Sequence, residues 1–592
     1  MSSDRAKFFP RRRSLMSVLS AEVPGVPKRV LCLSALILFQ LFPATTYFFA
    51  QSQNIDTWFV DSLVKVFPAD KPGTHALAVP ELKGARNQHL SIQLAVRSSQ
   101  AHRLVTAEVT PLEDDHRQKI LTVTIHPIGY VVVGSHSTDT PDDELVGEAP
   151  GWYPDPLIDF PLDLQPDRTY PLWVTIHVPP NSNLGSYRAA ITVSAGGHSL
   201  ARAEFRVRVV TASVPEERSL KVTNWFSLDD KVSRQFYGFP AFSSEWWTLV
   251  EHVGRVLADH RQNVVLTPLM DLIQARVQDD GLRYDFANFD RWVETFQKAG
   301  TIGTIEGSHL LGRAGGYNGP LQVEIFQLID RQVKKLSLPP DNPDVEKFVT
   351  QFLSALDAHL EQKGWKSIYL QHILDEAHGN EPQSYAKMAS LVRRYLPGIS
   401  TIDAVDAAHM PELLQQNCDI WVPQLGKFDD QMDMLRQRAR NGRQVWFYTC
   451  LVPRGRYLNR LMDFPLLKVR LLHWLNFRLQ LTGFLHWGGN YWSPEPFKDT
   501  QPVINENTEL LPSGDAFIVY PDRPRKSVRS SVRLETMREG IEDYELLQAL
   551  RASRPGEAER IATAAVSSFT QYTRDPVAFR KIEDGLLDAL SK

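Results

Sequence analysis

The chain contains little cysteine, with three residues among 592. One of them, Cys32, lies in an N-terminal segment that resembles a secretion signal, so a processed chain would keep only Cys418 and Cys450. Two thiols cannot supply the disulfide framework of a small extracellular domain, and stability must come from large apolar cores. Because Cys418 precedes one predicted strand and Cys450 follows its parallel neighbour, we expect the two to be too far apart to bond.

An excess of positive charge is also absent. The formal net charge is -4, and residues 1–50 hold seven basic but only two acidic side chains, so the rest of the chain is more acidic still. An acidic surface repels the phosphate backbone. We therefore expect no nucleic-acid partner.

The N-terminus has the order of features of a secretory signal. Basic residues at 11–13 and 28–29 precede the apolar run 30–39, and small residues recur at Ala44 and Ala50. This order predicts a signal peptide over residues 1–50 and a secreted or periplasmic protein. An uncleaved membrane anchor is the alternative, because the apolar stretch is about long enough to span a bilayer. Any contact with a membrane would then be through this segment alone.

The fold class predicted is multidomain, β followed by α/β. Short runs of alternating apolar and polar residues indicate an antiparallel β-sandwich domain over residues 51–215. After Pro215, strand-like runs alternate with amphipathic helices, and eight such units over 216–510 predict a (β/α)8 TIM-like barrel. Residues 511–592 are too few for a core of their own and should buttress the barrel. The predicted barrel strands are 222–226, 264–269, 302–306, 367–374, 400–405, 420–423, 445–449 and 483–487.

The most informative motif is the adjacent acid pair Asp375-Glu376, which follows the apolar run 367–374. Barrel enzymes present acid and base groups at the ends of their strands. Neighbouring side chains within a strand point to opposite faces, so two adjacent acids can share a site only where the strand ends and the backbone bends. Crowded carboxylates also titrate unequally, so that one is ionised while the other holds a proton near neutral pH. Glycoside hydrolysis requires this division of labour.

Aromatic residues end the later predicted strands. Trp421, Tyr448, Trp487 and Tyr491 lie at the ends of the sixth, seventh and eighth strands. Their rings are suited to stacking on the apolar face of a pyranose, although each is also an ordinary packing residue. We therefore predict that the acid pair lies in a sugar-binding site.

The chain resembles a known family through several motifs, of which the last two are the most specific. They are 151–156 (GWYPDP), 184–188 (LGSYR), Leu374-Asp375-Glu376, 483–492 (GFLHWGGNYW), 514–520 (GDAFIVY) and 531–545 (SVRLETMREGIEDYE). The family is glycoside hydrolase family 123, the retaining exo-β-N-acetylgalactosaminidases, with its uncharacterised relatives. One departure is Ala377, where many relatives have proline, which puts the local loop in doubt and not the chemistry.

The resemblance implies substrate-assisted catalysis, in which the 2-acetamido oxygen of the sugar attacks the anomeric carbon. Glu376 would protonate the leaving oxygen and later deprotonate water, and Asp375 would orient the acetamido N–H and stabilise the oxazolinium ion. The implied partners are oligosaccharides or glycoconjugates with terminal β-linked N-acetylgalactosamine. The expected substrate-binding residues are Tyr448, Trp487, Trp421, Asn490, Tyr491 and His309.

A metal hydrolase is one alternative, because His372, Asp375, Glu376 and His378 are ligand-type residues close together in sequence. Strand alternation and a bend would scatter their side chains, unlike the two histidines of a helical zinc motif. The glycine-rich loop 312–319 lacks the Gly-Lys-Ser/Thr of a phosphate-binding loop. The sequence therefore predicts neither a metal nor another cofactor.

Two further alternatives stay within carbohydrate recognition. The first is a non-catalytic secreted carbohydrate-binding protein that kept the barrel without turnover, which loss of an acid would support; here both acids are present. The second is an exo-glycosidase of different sugar specificity, because the choice between gluco and galacto sugars depends on contacts to one hydroxyl.

Overall fold

The N-terminal region is rich in antiparallel strands. The computed structural model describes residues 55–113, 119–278, 281–406, 410–504 and 509–592, so the predicted signal segment lies outside the described residues. Eleven strands of this region form one hydrogen-bonded network. They are Ile55–Asp61, Glu81–Arg86, Gln88–Ser98, His102–Val109, Leu112–Glu113, Lys119–Val133, Gly151–Leu157, Leu162–Leu164, Arg168–Val178, Gly185–Ala195 and His198–Ser213.

Side-chain alternation explains how this network encloses a core. In strand His198–Ser213, Phe205, Val207 and Val209 are buried, whereas the residues between them are exposed. The two halves of the network face each other across one apolar cluster, in which the rings of Phe59 and Phe205 lie 5.9 Å apart. Burying one face of each strand fixes the register of the whole region, since a slip of one residue would expose that face.

The C-terminal part is α/β, with eight parallel strands in the predicted order. They are β1 (Lys221–Asn224), β2 (Val264–Thr267), β3 (Thr304–Gly307), β4 (Tyr369–Gln371), β5 (Ser400–Val405), β6 (Ile420–Pro423), β7 (Trp446–Tyr448) and β8 (Gly483–His486). Strands β2 to β6 form one sheet, and β7, β8 and β1 form another.

The prediction of a closed barrel is corrected here. Among the described residues, the hydrogen-bonded ladders form two sheets and not one closed sheet. Isolated bridges alone join β6 to β7. Between β1 and β2, side chains replace most ladder bonds: Asn263 Oδ1 accepts from Val222 N at 2.9 Å, and Gln262 Oε1 accepts from Asn224 N at 3.2 Å. One backbone bond remains, from Asn263 N to the carbonyl oxygen of Val222 at 3.3 Å. Amide side chains thus satisfy most of the strand edge that a ladder between β1 and β2 would otherwise fill.

Helices separate the parallel strands, and two hairpin insertions follow β2 and β3. The longer helices are Ser244–Asp259, Ala287–Ala299, Pro343–Lys363, Glu381–Tyr395, Glu412–Asn417, Met432–Arg440 and Leu466–Leu479. The insertion after β2 pairs Gln274–Gln278 with Gly281–Asp285, and that after β3 contains Gly312–Arg313, Leu321–Ile329 and Gln332–Leu338. Among the described residues, no helix is both long and apolar enough to cross a bilayer.

The final segment packs on the N-terminal region as well as on the α/β part. Its helices are Val532–Ser553, Pro555–Ala565 and Pro576–Leu590, and the first is buried along most of its length. Arg533 on that helix makes a two-pronged ion pair with Asp155 of strand Gly151–Leu157, at 2.8 and 2.9 Å. Glu542 binds His89 of the N-terminal region. The C-terminal motif is therefore explained by a buried ion-pair network.

The two described cysteines provide a test of the core. Cys418 and Cys450 are both free and buried, so a thiol reagent should reach neither until the protein unfolds. We expect alkylation without reductant to label the two peptides only in denaturant, as measured by mass spectrometry. Recovery of a disulfide-linked pair of these peptides would contradict the strand arrangement.

Candidate active site

The acid pair lies in a turn that begins where β4 ends. Glu376 has a φ of +46°, in the left-handed region that residues other than glycine seldom adopt. This conformation bends the chain sharply between neighbours, as two adjacent acids need if they are to share a site. The turn is held to β5, because the backbone N–H of Glu376 donates to the carbonyl oxygen of Ala404 at 3.2 Å.

Arg313 holds the outer side of the same turn. Its guanidinium donates to the carbonyl oxygens of Asp375 and Glu376 at 3.0 and 3.2 Å. A second carboxylate, Glu381, binds the guanidinium at 2.9 and 2.6 Å. Arg313 therefore holds the backbone of the two acids in place, and its positive charge neutralises part of the local negative charge.

Both acids are harder to ionise than ordinary carboxyl groups. Burial, together with the charge of Glu376, raises the pKa of Asp375 to about 7. Burial also raises the pKa of Glu376, although the hydroxyl of Tyr448 opposes this by donating to Oε1 of Glu376. Near neutral pH the pair therefore holds a proton, as acid/base chemistry requires.

A buried polar network lies behind the pair. His372, Glu306 and Asp403 are fully buried, and both ring nitrogens of His372 face carboxylates: Nδ1 is 3.0 Å from Asp403 and Nε2 is 2.7 Å from Glu306. His309, His372 and Asp403 also place ligand-type atoms within 4.8 Å of one another. Because both ring nitrogens of His372 already have carboxylate partners, this cluster fits a hydrogen-bond network better than a metal centre.

An aromatic cavity opens beside the strand ends of β1 and β8. Its volume is about 570 Å³, and its lining includes Trp225, Phe236, Trp487, Tyr491 and Trp492. The acid pair is not part of this lining, but Trp225 connects the two places. One edge of its indole meets the rings of His309 and His372, each at a centroid distance of 5.4 Å. The cavity has the aromatic walls that a sugar ring needs.

The predicted contact residues divide into those near the acids or cavity and those used elsewhere. Trp487 and Tyr491 line the cavity, Tyr448 contacts Glu376, and His309 lies against His372. Asn490 also lines the cavity, but its amide is engaged in both directions with the backbone of Ser227, at 2.8 and 2.7 Å.

Trp421 is a correction to the predicted set. It is 3% exposed, its indole N–H donates to the carbonyl oxygen of Cys418 at 3.0 Å, and the guanidinium of Arg438 covers its ring at 3.7 Å. The side chain faces the helices outside the strands and is not available to a substrate. Its role is packing, stabilised by a cation–π contact.

Sequence reasoning missed Trp225, the carboxylates Glu306 and Asp403, and the contact that Arg313 makes with the acid turn. Trp225 follows β1 directly, so the rule that identified the other strand-end aromatics could have found it. Arg313 and the two carboxylates act through partners more than 30 positions away in sequence. No local signal marks such pairings.

Comparison with known families places the protein among the glycoside hydrolases. The catalytic domain of glycoside hydrolase 123 matches residues 225–550, and the glycoside hydrolase 123 N-terminal domain matches residues 68–195. The chain belongs to glycoside hydrolase family 123, which confirms the resemblance. No curated protein gave a significant match.

One solved structure shares the fold of this chain. A family 123 glycoside hydrolase from Clostridium perfringens, studied for glycolipid glycan hydrolysis, superposes with a TM-score of 0.70 at 16% identity, over 91% of this chain and 97% of that one. A family 39 glycoside hydrolase from Bacteroides cellulosilyticus has a TM-score of 0.34 at 11% identity, over 78% and 81% of the chains. The first likeness shows that the whole architecture is shared.

The bond from Tyr448 to Glu376 predicts a shift in pH dependence. Because this donor lowers the pKa of Glu376, Tyr448→Phe should raise that pKa and move the alkaline limb of kcat/KM to higher pH. A hydrogen bond to a charged group, about 1.5 kcal/mol, corresponds to about one pH unit. The measurement is the pH profile of kcat/KM on a glycoside with a poor leaving group, whose departure needs the proton of Glu376.

A matched control is Tyr572→Phe. It removes a phenol of the C-terminal segment that donates to Glu144 of the N-terminal region. This variant should leave the profile in place. An unchanged profile for Tyr448→Phe would show that the phenol does not control the acid.

Proposed function

We propose that the protein is a retaining exo-glycosidase that releases terminal β-linked N-acetylgalactosamine, with the 2-acetamido group of the substrate as nucleophile. The observation that carries the proposal is the buried turn in which Asp375 and Glu376 lie side by side with raised pKa values. Adjacent acids suit two roles on one face of a sugar, whereas the common retaining mechanism uses carboxylates on opposite sides of the bond.

In the first step, the acetamido oxygen bonds to the anomeric carbon as the bond to the leaving oxygen breaks. Glu376 transfers its proton to that leaving oxygen. Asp375 accepts a hydrogen bond from the acetamido N–H and, as a carboxylate, stabilises the positive oxazolinium ion. In the second step, Glu376 takes a proton from water, which attacks the anomeric carbon and restores the acetamido group with net retention.

Binding of the substrate assigns the shared proton to one acid. An N–H donor next to Asp375 favours the ionised form of Asp375, so the proton remains on Glu376, where the leaving group needs it. Tyr448, whose hydroxyl contacts Glu376, is close enough to the pair to donate to the acetamido oxygen. Trp487 and Tyr491 supply the stacking surface.

We make two further proposals, one about the arrangement of the strands and one about the localisation of the protein. The eight parallel strands act as a TIM-like barrel with interruptions between β1 and β2 and between β6 and β7, because they retain the sequential parallel order of that fold and β8 pairs with β1. The N-terminal segment directs the protein to the periplasm or the exterior, as its basic and apolar order suggests.

The role of Glu376 predicts a dependence on the leaving group. Glu376→Gln should reduce turnover of substrates with poor leaving groups by a factor of roughly 10³ or more, while sparing the first step for activated aryl glycosides, which need little protonation. Rates on N-acetyl-β-galactosaminides with a series of phenol leaving groups would measure this. Equal losses across the series would rule Glu376 out as the general acid.

The role of Asp375 predicts a dependence on the 2-acetamido group. The wild type should cleave 4-nitrophenyl N-acetyl-β-galactosaminide, ignore the 2-hydroxy galactoside and bind a thiazoline mimic of the bicyclic intermediate tightly. Asp375→Asn should lower the rate roughly a hundredfold, because the amide keeps the shape but loses the charge. Trapping of a covalent adduct on Asp375 by a 2-fluoro sugar would make Asp375 itself the nucleophile.

A further inference from the structure

The ring of His372 lies between two carboxylates that come from different strands. Glu306 of β3 lies 2.7 Å from Nε2, and Asp403 of β5 lies 3.0 Å from Nδ1. All three side chains are fully buried. A charge this deep in the protein costs several kcal/mol unless it is paired, so the protonation states of these groups are tightly constrained.

Each carboxylate is surrounded by further donors. Glu306 also accepts from the hydroxyl of Thr223 at 2.7 Å and from the indole N–H of Trp225 at 3.0 Å. Asp403 also accepts from the backbone N–H of Ile373 and from the hydroxyl of Tyr385 at 2.6 Å. Carboxyl groups that receive only donors are in their acceptor form, which is the ionised one.

A neutral imidazole donates through one nitrogen, whereas here both nitrogens face an ionised acceptor. Both must therefore carry a proton, and the ring is an imidazolium. The other titratable groups around it are His309, whose ring centroid is 4.4 Å away, and Asp375. Burial lowers the pKa of His309 well below its ordinary value, so that ring is neutral beside its charged neighbour.

The two carboxylates connect His372 to different parts of the active site. Through Glu306 it holds Trp225, whose indole lines the aromatic cavity. Through Asp403 it holds the backbone N–H of Ile373, where the chain enters the turn of the catalytic acids. One charged ring thus lies between Glu306, which binds Trp225 of the cavity wall, and Asp403, which binds the backbone before the acid pair.

We propose that His372 is a positioning residue of the reaction, a permanent imidazolium that fixes both the acid turn and the Trp225 wall and that favours the ionised form of Asp375. The kinetic part rests on the proposed function, because it takes Asp375 and Glu376 as the catalytic acids. The protonation part does not depend on any substrate.

The electrostatics of the ring agree with this geometry, although burial raises the pKa of Asp403 against its hydrogen bonds to His372, Tyr385 and Ile373. Burial alone would lower the pKa of His372, but the hydrogen bonds to Asp403 and Glu306 outweigh it and raise the pKa to about 10. The positive ring in turn lowers the pKa of Asp375, against the effects of burial and of Glu376. Loss of the ring charge should therefore make Asp375 easier to protonate.

Histidine-selective ¹⁵N labelling tests the protonation state directly. At pH 8.5 an ordinary histidine, with a pKa of about 6.5, is neutral. We expect one ring to keep two protonated nitrogens at this pH, and its signal to be absent from His372→Gln. A neutral ring for His372 at pH 8.5 would overturn the proposal, whether or not the enzyme releases N-acetylgalactosamine.

Kinetics of His372→Gln test the effect on the acids. We expect a kcat at least tenfold lower on an aryl glycoside, and an acidic limb displaced upward by roughly one pH unit, because Asp375 must be ionised and loses a nearby positive charge. The matched control is His473→Gln, since His473 is equally buried but bonds to the amide of Asn476. The control should lower thermal stability and leave the pH profile unchanged; the same profile in both variants would contradict the proposal.

Two isosteric variants keep the test informative if His372→Gln folds poorly. Glu306→Gln and Asp403→Asn each remove one carboxylate, and each should lower the pH at which His372 loses its proton in the labelled protein. Glu306→Gln should act mainly on KM through Trp225, and Asp403→Asn mainly on kcat through the acid turn. If Glu306→Gln changed kcat alone, the connection to the cavity wall would be wrong.

Discussion

The buried ion pair between Arg533 and Asp155 is the interaction on which the rest of the molecule depends. Its geometry joins the N-terminal strands to the C-terminal helix, and the same guanidinium donates to the carbonyl oxygens of Gly514 and Phe517 at 2.8 Å. That segment supports the cavity, since the backbone N–H of Tyr491 donates to Ala516 at 3.0 Å. The wall of the substrate site is therefore held by residues from three distant parts of the sequence.

The turn of Asp375 and Glu376 obeys the same constraint at a smaller scale, because every charge placed there needs a nearby partner. Arg313 covers the backbone of the acids, Tyr448 binds Glu376, and the imidazolium of His372 lies behind Asp375. Burial raises the pKa of both acids, so that the pair holds a proton near neutral pH. The partners limit this rise in pKa, so that one acid can still ionise.

The strand order and the acid pair could be predicted from sequence, because apolar runs that end in charged residues are local signals. The orientation of individual side chains could not. Both faces of a parallel strand are buried, so alternation does not show which face is inward; Trp421 therefore looked like Trp487 but faces the helices. The predicted fourth strand, 367–374, is regular only over Tyr369–Gln371, since the turn that bends the acids together begins earlier.

The junction between β1 and β2 has a consequence for the cavity. Backbone ladders accept almost any residue, but here the contact depends on the amides of Gln262 and Asn263, which are buried and bonded on both sides. A substitution at either position would move Trp225, and with it the shape of the substrate entrance, although neither amide contacts the cavity. The shape of the aromatic cavity can thus be altered through two residues that do not line it.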